Sequence, residues 1–409
     1  MRFTEPAGWV EVTALNDAEA LFTSLTGRGA EGVWSSAGRA NLIGEHTDYN
    51  EGFVLPFAIQ HRTYAAAGMH ADLAIRVAST FSPDPVEVAL AELETLFAGA
   101  PGAAVADGTV PEWAAYPLGV AWAALAASGR SAADVPGVDI AIASDVPVGA
   151  GLSSSAAIEG AVAAALNDLW QLGLSPLDMA KVGRRAENEA VGAPTGIMDQ
   201  VSSILGRADA ATFLDCRTLE TRSVDLGLER EGLILLAIDT KVEHAHASGG
   251  YRDRRAACER GAAALGVPSL RDLTEADLDR ARDILDDVTF RRVRHIVTEN
   301  QRVLDTVDAL ASGGPRAIGD LLVASHASMR DDFEISVPEL DTAVDAALAA
   351  GAIGARMTGG GFGGSAVALV EADAVDAVAD AAARAFAARG YAAPHAFTVV
   401  PSEGVRRDA

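Results

Sequence analysis

Lysine is nearly missing from this chain. Among 409 residues only Lys181 and Lys241 occur, and every other basic residue is an arginine. A Walker A loop needs a lysine directly after a glycine, and neither lysine has one, so that way of binding phosphate is excluded. The protein-kinase signatures of the HRD and DFG type are missing too. Cysteine is equally scarce: Cys216 and Cys258 could form one disulfide at most, and reduced structural thiols are expected. No apolar run reaches the ~18 residues of a membrane-spanning helix, so none is expected. The opening MRFTEPAGWV has no basic segment followed by an apolar core, which argues against a secretory signal and for a cytoplasmic location. Positive charge is also in short supply. With 32 basic and 57 acidic residues the net charge is −25, which repels nucleic acid and anionic lipid and leaves neither as an expected partner. Any phosphate ligand must therefore be held by local devices working against the overall field.

What is present is ample apolar material. Hydrophobic residues make up 49% of the chain, enough for more than one core, and the length favours two or three domains. Val138, Ile140 and Ile142 alternate with Asp139, Ala141 and Ala143 as in a strand. A glycine-bearing loop follows from Asp145 to Gly151. Then Ile158, Val162, Leu166 and Leu169 recur at helical spacing, with Ser153, Ser154 and Ser155 where a helix would be capped. Further on come a strand over 232–239 and helices over about 250–266, 275–285, 290–312, 315–330 and 338–350. A short strand, a glycine loop at 359–364 and a strand over 365–370 close the unit. Strands and helices mix without regular βαβ alternation, so the class expected is α+β. The boundary is set near 205–210, giving domains 1–207 and 208–409.

Three segments carry the polar and glycine-rich chemistry. Pro147-Val148-Gly149-Ala150-Gly151-Leu152-Ser153-Ser154-Ser155 joins strand to helix, so backbone N–H groups, a helix N-terminus and hydroxyls converge as they do around an anion; a capped helix after a turn is the plainer reading. Gly38 to Asn50 (GRANLIGEHTDYN) packs ionisable and hydrogen-bonding side chains into a short stretch. That density suits a sugar, which needs many directional partners in a small volume; a solvated loop is the alternative. Arg356 to Ser365 (RMTGGGFGGS) spells G-x-G-x-x-G by letter, yet it leads into a strand instead of a helix, so a dinucleotide site is rejected. His244 and His246 form an H-x-H pair with no third ligand nearby and are read as structural.

GRANLIGEHTDYNEGFVLP, DVPVGAGLSSSAA and RMTGGGFGGS resemble the three motifs of the GHMP small-molecule kinases, the first in the form typical of galactokinases. The similarity runs from about residue 34 to about 370 and takes in ENEAVGAPTGIMDQ and SHASMRDDFEISVPELD. It implies an N-terminal domain of the ribosomal-protein-S5 type, a ferredoxin-like C-terminal domain and an active site between them. The implied reaction is ATP-dependent phosphorylation of galactose at its anomeric hydroxyl, in galactose metabolism. The resemblance also assigns residues. Asp199 matches the catalytic base and Arg39 the arginine beside the transferred phosphoryl group. Glu45, His46, Thr47, Asp48 and Tyr251 match the sugar side, although Arg252 stands after the tyrosine where asparagine is usual. Gly149, Ala150, Gly151, Leu152, Ser153, Ser154 and Ser155 match the ATP loop, and Ser155 and Glu187 the magnesium site. Galactose and ATP are the partners expected, with Mg2+ as cofactor and a monomer as the assembly. Kinases of the same superfamily acting on arabinose or N-acetylgalactosamine, and a non-enzymatic galactose sensor of the same fold, are the alternatives.

Overall fold

The computed structural model describes residues 7–242 and 247–409, so His244 and His246 lie outside the described residues. Its elements run in the order α1 (Ala7–Thr26), β1 (Gly32–Asn41), β2 (Phe53–Val54), β3 (Pro56–His70), β4 (Ala74–Ser79), β5 (Ser82–Ala89), α2 (Leu93–Phe97), α3 (Ala103–Ala106), α4 (Glu112–Ser128), β6 (Gly137–Ser144), α5 (Ser154–Leu169), α6 (Pro176–Arg185) and α7 (Met198–Leu205). Then follow β7 (Ala210–Asp215), β8 (Thr221–Asp225), β9 (Leu233–Asp239), α8 (Ala247–Leu265), α9 (Leu278–Ile284), α10 (Asp287–Gly313), α11 (Gly319–Ser328), α12 (Pro338–Ala349), β10 (Gly354–Thr358), β11 (Ser365–Glu371), α13 (Val375–Arg389), β12 (His395–Val399) and β13 (Arg406–Arg407). The class is α+β. The six-stranded sheet β13-β1-β3-β6-β4-β5 is antiparallel except where β4 runs parallel to β6. The second sheet, β10-β11-β9-β12, is antiparallel throughout, and β2-β7-β8 form a third.

Alternation along β6 sorts its side chains as the sequence suggested, but both faces are covered. Val138, Ile140 and Ile142 join the core under α4, α5 and α7, while Ala141 and Ala143 meet Ala14, Ala18 and Phe22 of α1. The small residues on that second face let α1 lie close to the sheet.

β9 and β11 read as unbroken apolar runs because they too are buried on both faces. Leu236, Ile238, Ala366, Ala368 and Val370 pack under α8, α10, α12 and α13. Leu233, Leu235, Ala237, Val367 and Leu369 face the other way, onto Leu42, Ile43, Leu55, Phe57 and Ile59 of the N-terminal half. The two halves therefore share one core, and each fully buried Leu, Ile or Phe in it contributes ~1.5–3 kcal/mol. A cut at 207/208 falls between α7 and β7. Beyond it, β7 pairs with β2 and β13 pairs with β1, so two C-terminal segments rest on N-terminal strands.

Cys216 and Cys258 are free thiols, and Cys258 is buried. Among the described residues no helix is long and apolar enough to cross a membrane.

Candidate functional site

The three segments named from the sequence meet where the halves join. β1 and β3 slip register between Ala37 and Arg39, and beyond that irregularity Arg39 reaches the phosphate-binding candidate loop. Its backbone N–H donates to the Leu152 carbonyl at 3.0 Å and its Nη1 to the Gly151 carbonyl at 2.6 Å. The rest of the guanidinium clamps Asp199, in the first turn of α7: Nε to Oδ1 at 2.8 Å and Nη2 to Oδ2 at 2.7 Å. This pairing is bidentate and fixes both partners in direction as well as distance. Arg39 is 4% exposed, whereas the Asp199 side chain keeps 25% of its surface.

Ser153 departs from the expected helix cap. It is the N-cap residue of α5 but sits in the left-handed region at φ 55°, and its side chain caps nothing. Its hydroxyl donates to Asp199 Oδ2 instead. The left-handed turn thus exchanges a helix-end hydrogen bond for a contact across the site. Ser155, one position into α5, donates to Glu187 Oε1 at 3.1 Å. Glu187 lies in a π-helical turn, Ala186–Val191, at the end of α6; its other oxygen accepts from Thr195 Oγ1 at 2.6 Å and Gln200 Nε2 at 2.9 Å. Burial raises the Glu187 pKa, the nearby Asp199 charge adds to it, and no cationic side chain pairs with it among the described residues. A buried carboxyl with a hydroxyl beside it and no cation is a fit for a hard divalent ion, which takes oxygen ligands and completes its shell with water and phosphate. Among the described residues no group of three or more His, Cys, Asp or Glu is arranged so that it could hold a metal ion by itself.

The residues that the resemblance assigns to the sugar divide by exposure. Glu45 is 1% exposed and bound by Asn41 Nδ2, by Arg356 Nη1 at 3.2 Å and by the Gly359 N–H at 2.8 Å. Thr47 is fully buried and holds the turn, its hydroxyl bonded to the Gly44 and Phe53 carbonyls at 2.9 and 2.6 Å. His46 occupies a left-handed conformation at φ 63°, with Nδ1 2.8 Å from the Tyr49 hydroxyl and Nε2 3.2 Å from the Gly360 carbonyl. Burial lowers its pKa to about 3, so the ring is neutral. Asp48 and Tyr251 are only half-buried. The Tyr251 ring lies tilted 4.8 Å from the His46 ring and meets Tyr49 edge-on at 5.4 Å. The Asp48 pKa rises to about 6, through burial first and the Asp199 charge second. Asp48 can lie against the GIMDQ segment only because residue 196 is glycine, for a Cβ there would stand 1.7 Å from Oδ2.

Arg356, at the start of the third motif, has a part that the motif alone does not assign. It is 1% exposed and donates to the Asn41 and Leu42 carbonyls at 2.9 and 3.2 Å, to Glu45, and to Ser325 Oγ at 3.2 Å. Glu299 of α10 stands 3.8 Å from it and accepts from the Gly44 N–H at 3.0 Å, from Ser325 Oγ at 2.6 Å and from Arg302 at 2.7 Å. The available signal was one arginine in the short strand before the glycine loop, and the fold buries every residue of that strand. Glu299 carried no such mark. Arg255, which donates to the Pro194 carbonyl at 2.9 Å, was also missed.

The sequence matches the family described as GHMP kinases N terminal domain over residues 115–207, GHMP kinases C terminal over 306–388, and the galactokinase galactose-binding signature over 20–69. A galactokinase of Streptomyces coelicolor is 53% identical over 94% of this chain and 96% of its own. One of Mycobacterium tuberculosis is 43% identical over 88% and 95%. Among solved structures, Lactococcus lactis galactokinase complexed with galactose superposes with a TM-score of 0.86 at 32% identity, covering 97% and 99%. A mevalonate kinase, at TM-score 0.63 and 15% identity over 91% and 99%, shares the fold.

Proposed function

The chain belongs to the galactokinases of the GHMP kinase family, and from that premise we propose how its residues carry phosphate from ATP to the anomeric oxygen of galactose. Asp199 accepts the proton of the anomeric hydroxyl as that oxygen bonds to the γ-phosphorus; the bond from phosphorus to the bridging oxygen breaks and ADP leaves. The carboxylate takes three donors, two from Arg39 and one from Ser153, and so stands fixed in place as a proton acceptor. A loose phosphoryl transfer asks for no more, because the attacking oxygen need not be fully ionised early. Arg39 bridges the two substrates. Its charge serves the transferred group while its geometry holds Asp199 against the sugar.

Gly149 to Ser155 form the ATP side. Backbone N–H groups and the start of α5 do the work that lysine does elsewhere. Val148 is 68% exposed and Phe81 53% exposed; the Thr80 N–H bonds to Ile142 of β6, so both stand at the end of the sheet that feeds the loop and offer apolar surface to a nucleobase. Ser155 and Glu187 would hold Mg2+, which supplies charge neutralisation on the phosphates. Asp48 and Tyr251 meet the sugar directly, with His46 behind them; Glu45 and Thr47 hold the turn that presents Asp48. The cytoplasm as location, a monomer as the assembly and a division near 207/208 complete the reading.

The observation that carries this is the Arg39–Asp199 clamp, set between the phosphate loop and Asp48. The test is ADP formation on galactose, arabinose and N-acetylgalactosamine, with the phosphorylated position read by NMR. Galactose 1-phosphate as the favoured product is expected. Preference for another sugar would point to a sister kinase, and galactose binding without ADP formation to a sensor.

A further inference from the structure

Behind Asp199 and Glu187 lies a carboxyl group that the reaction above does not use. Glu159, one turn along α5 from Ser155, is fully buried, and no ion pair reaches it among the described residues. The groups facing it are Asp199 and Gln200 of α7, Glu187 of the π-helical turn, Tyr116 of α4 and the backbone of Gly183 on α6, where a Cβ would stand 3.1 Å from Glu159 Oε2. None is a cation. Gln200, also fully buried, spends both hydrogens of its amide nitrogen on carboxyl oxygens: Glu159 Oε2 at 2.9 Å and Glu187 Oε2 at 2.9 Å. Two oxygens are then left without a partner among the described residues, Glu159 Oε1 and Gln200 Oε1.

One proton resolves both. Placed on Glu159 Oε1, it turns that atom into a donor, and Gln200 Oε1 is the unsatisfied acceptor on the same amide that Glu159 already engages. The pair then closes a ring in which acid O–H donates to amide oxygen and amide N–H donates to acid oxygen. Turning the amide over would instead set its oxygen against two carboxyl groups and require a proton on each. We propose that Glu159 is held as a neutral carboxylic acid paired face to face with the Gln200 amide, and that this pairing makes Glu159 a positioning residue for Glu187. The other amide hydrogen of Gln200 is thereby aimed at Glu187. Burial favours the protonated form of Glu159. This deepens the magnesium role proposed for Glu187 and rests on it.

The test uses the full chain with Glu159→Gln and Glu159→Ala. Glutamine is neutral and can reproduce both ring bonds; alanine reproduces neither. Infrared difference spectra of wild type against Glu159→Gln should show the carbonyl stretch of a protonated carboxylic acid, shifted in D2O. Glu159→Gln should keep kcat/KM for Mg-ATP within about threefold, while Glu159→Ala should lose about 10–100-fold, as changes behind a metal ligand do. No such band, a Glu159→Gln protein that fails to fold or is as impaired as Glu159→Ala, or full activity in Glu159→Ala would overturn the proposal. Unchanged Mg2+-dependent turnover in Glu187→Ala would remove the metal reading on its own, because the infrared band reports the Glu159 proton independently of it.

Discussion

The two walls of the site are built in opposite ways. The sugar wall is closed and braced: Glu45, Glu299 and Arg356 are each 1% exposed or less, and they tie the Gly44–Asn50 turn to α10, α11 and β10 through bonds that cross the whole chain. The phosphate wall is open. Val148 and Gly149 are exposed, Gly149 has φ 75°, and nothing lies within 4 Å of where its Cβ would be. The ligands proposed for the two walls account for the contrast. A neutral sugar brings no charge to organise a pocket, so discrimination has to be prepaid in fixed, buried polar groups. Phosphates bring charge and strong acceptors, and a backbone loop suffices. Asp199 and Arg39 stand where the walls meet, so their loss should damage the reaction without favouring either ligand.

That position makes Asp199→Asn the change with the largest expected effect. Turnover should fall by ~10²–10⁴-fold, the usual contribution of a general base, with folding and ATP affinity retained. Near-normal kcat in the folded variant would remove Asp199 from the chemistry. Next comes the brace. Arg356→Met leaves Glu45 and Glu299 buried without their shared cation, and breaking a buried pair this way costs ~3–5 kcal/mol. Thermal unfolding should show a large drop in Tm, and the galactose KM should rise far more than the ATP KM. Equal changes in both would mean that the brace does not belong to the sugar wall.

Gly196→Ala sharpens the comparison at one atom. A methyl group 1.7 Å from Asp48 Oδ2 must push that carboxylate aside. The galactose KM should rise about tenfold or more, the scale of one lost buried hydrogen bond to a charged group, and ATP titrations should be unaltered. A smaller effect is expected from pH. The folded-state pKa of Asp48 is raised to about 6, so its stabilising contribution is present below the unfolded carboxylate pKa and is lost as pH rises through about 6. Ionised Asp48 is the better sugar acceptor, so kcat/KM for galactose should climb through the same region, and Asp48→Asn should flatten that rise. His46, at about 3, should add no step of its own. Smallest of all is Val148→Ser on the open wall: no measurable change in Tm, and a modest rise in the ATP KM alone.

Legibility followed the same division. The phosphate wall is local in sequence: strand, glycine loop and helix stand in a row over Gly137–Leu169, and periodicity with composition reads them directly. The misreading there concerned one backbone angle, since a serine at a helix start looks like a cap until its left-handed φ turns the hydroxyl toward Asp199. The sugar wall was legible only in its first motif. Its supports come from residues some 255 to 314 positions away, such as Glu299 to Gly44 and Arg356 to Leu42, and contacts at that separation leave no periodic trace. The strand pairings of β2 and β13, two residues each, escaped for the same reason. The C-terminal helices and strands that the sequence named, from β9 to β11, lie within a few residues of their ranges because apolar periodicity marks them, whereas β7, β8, α13 and β12 were not read.

The measurement that tests the account most directly is the ratio of kcat/KM for galactose to that for glucose. The two sugars differ at one hydroxyl, and a braced wall cannot relax to pair with the wrong one. A site built around buried polar partners should favour galactose by ~10²-fold or more, with galactose 1-phosphate as the product. Comparable efficiency on both sugars would contradict a prebuilt galactose pocket while leaving the kinase fold untouched.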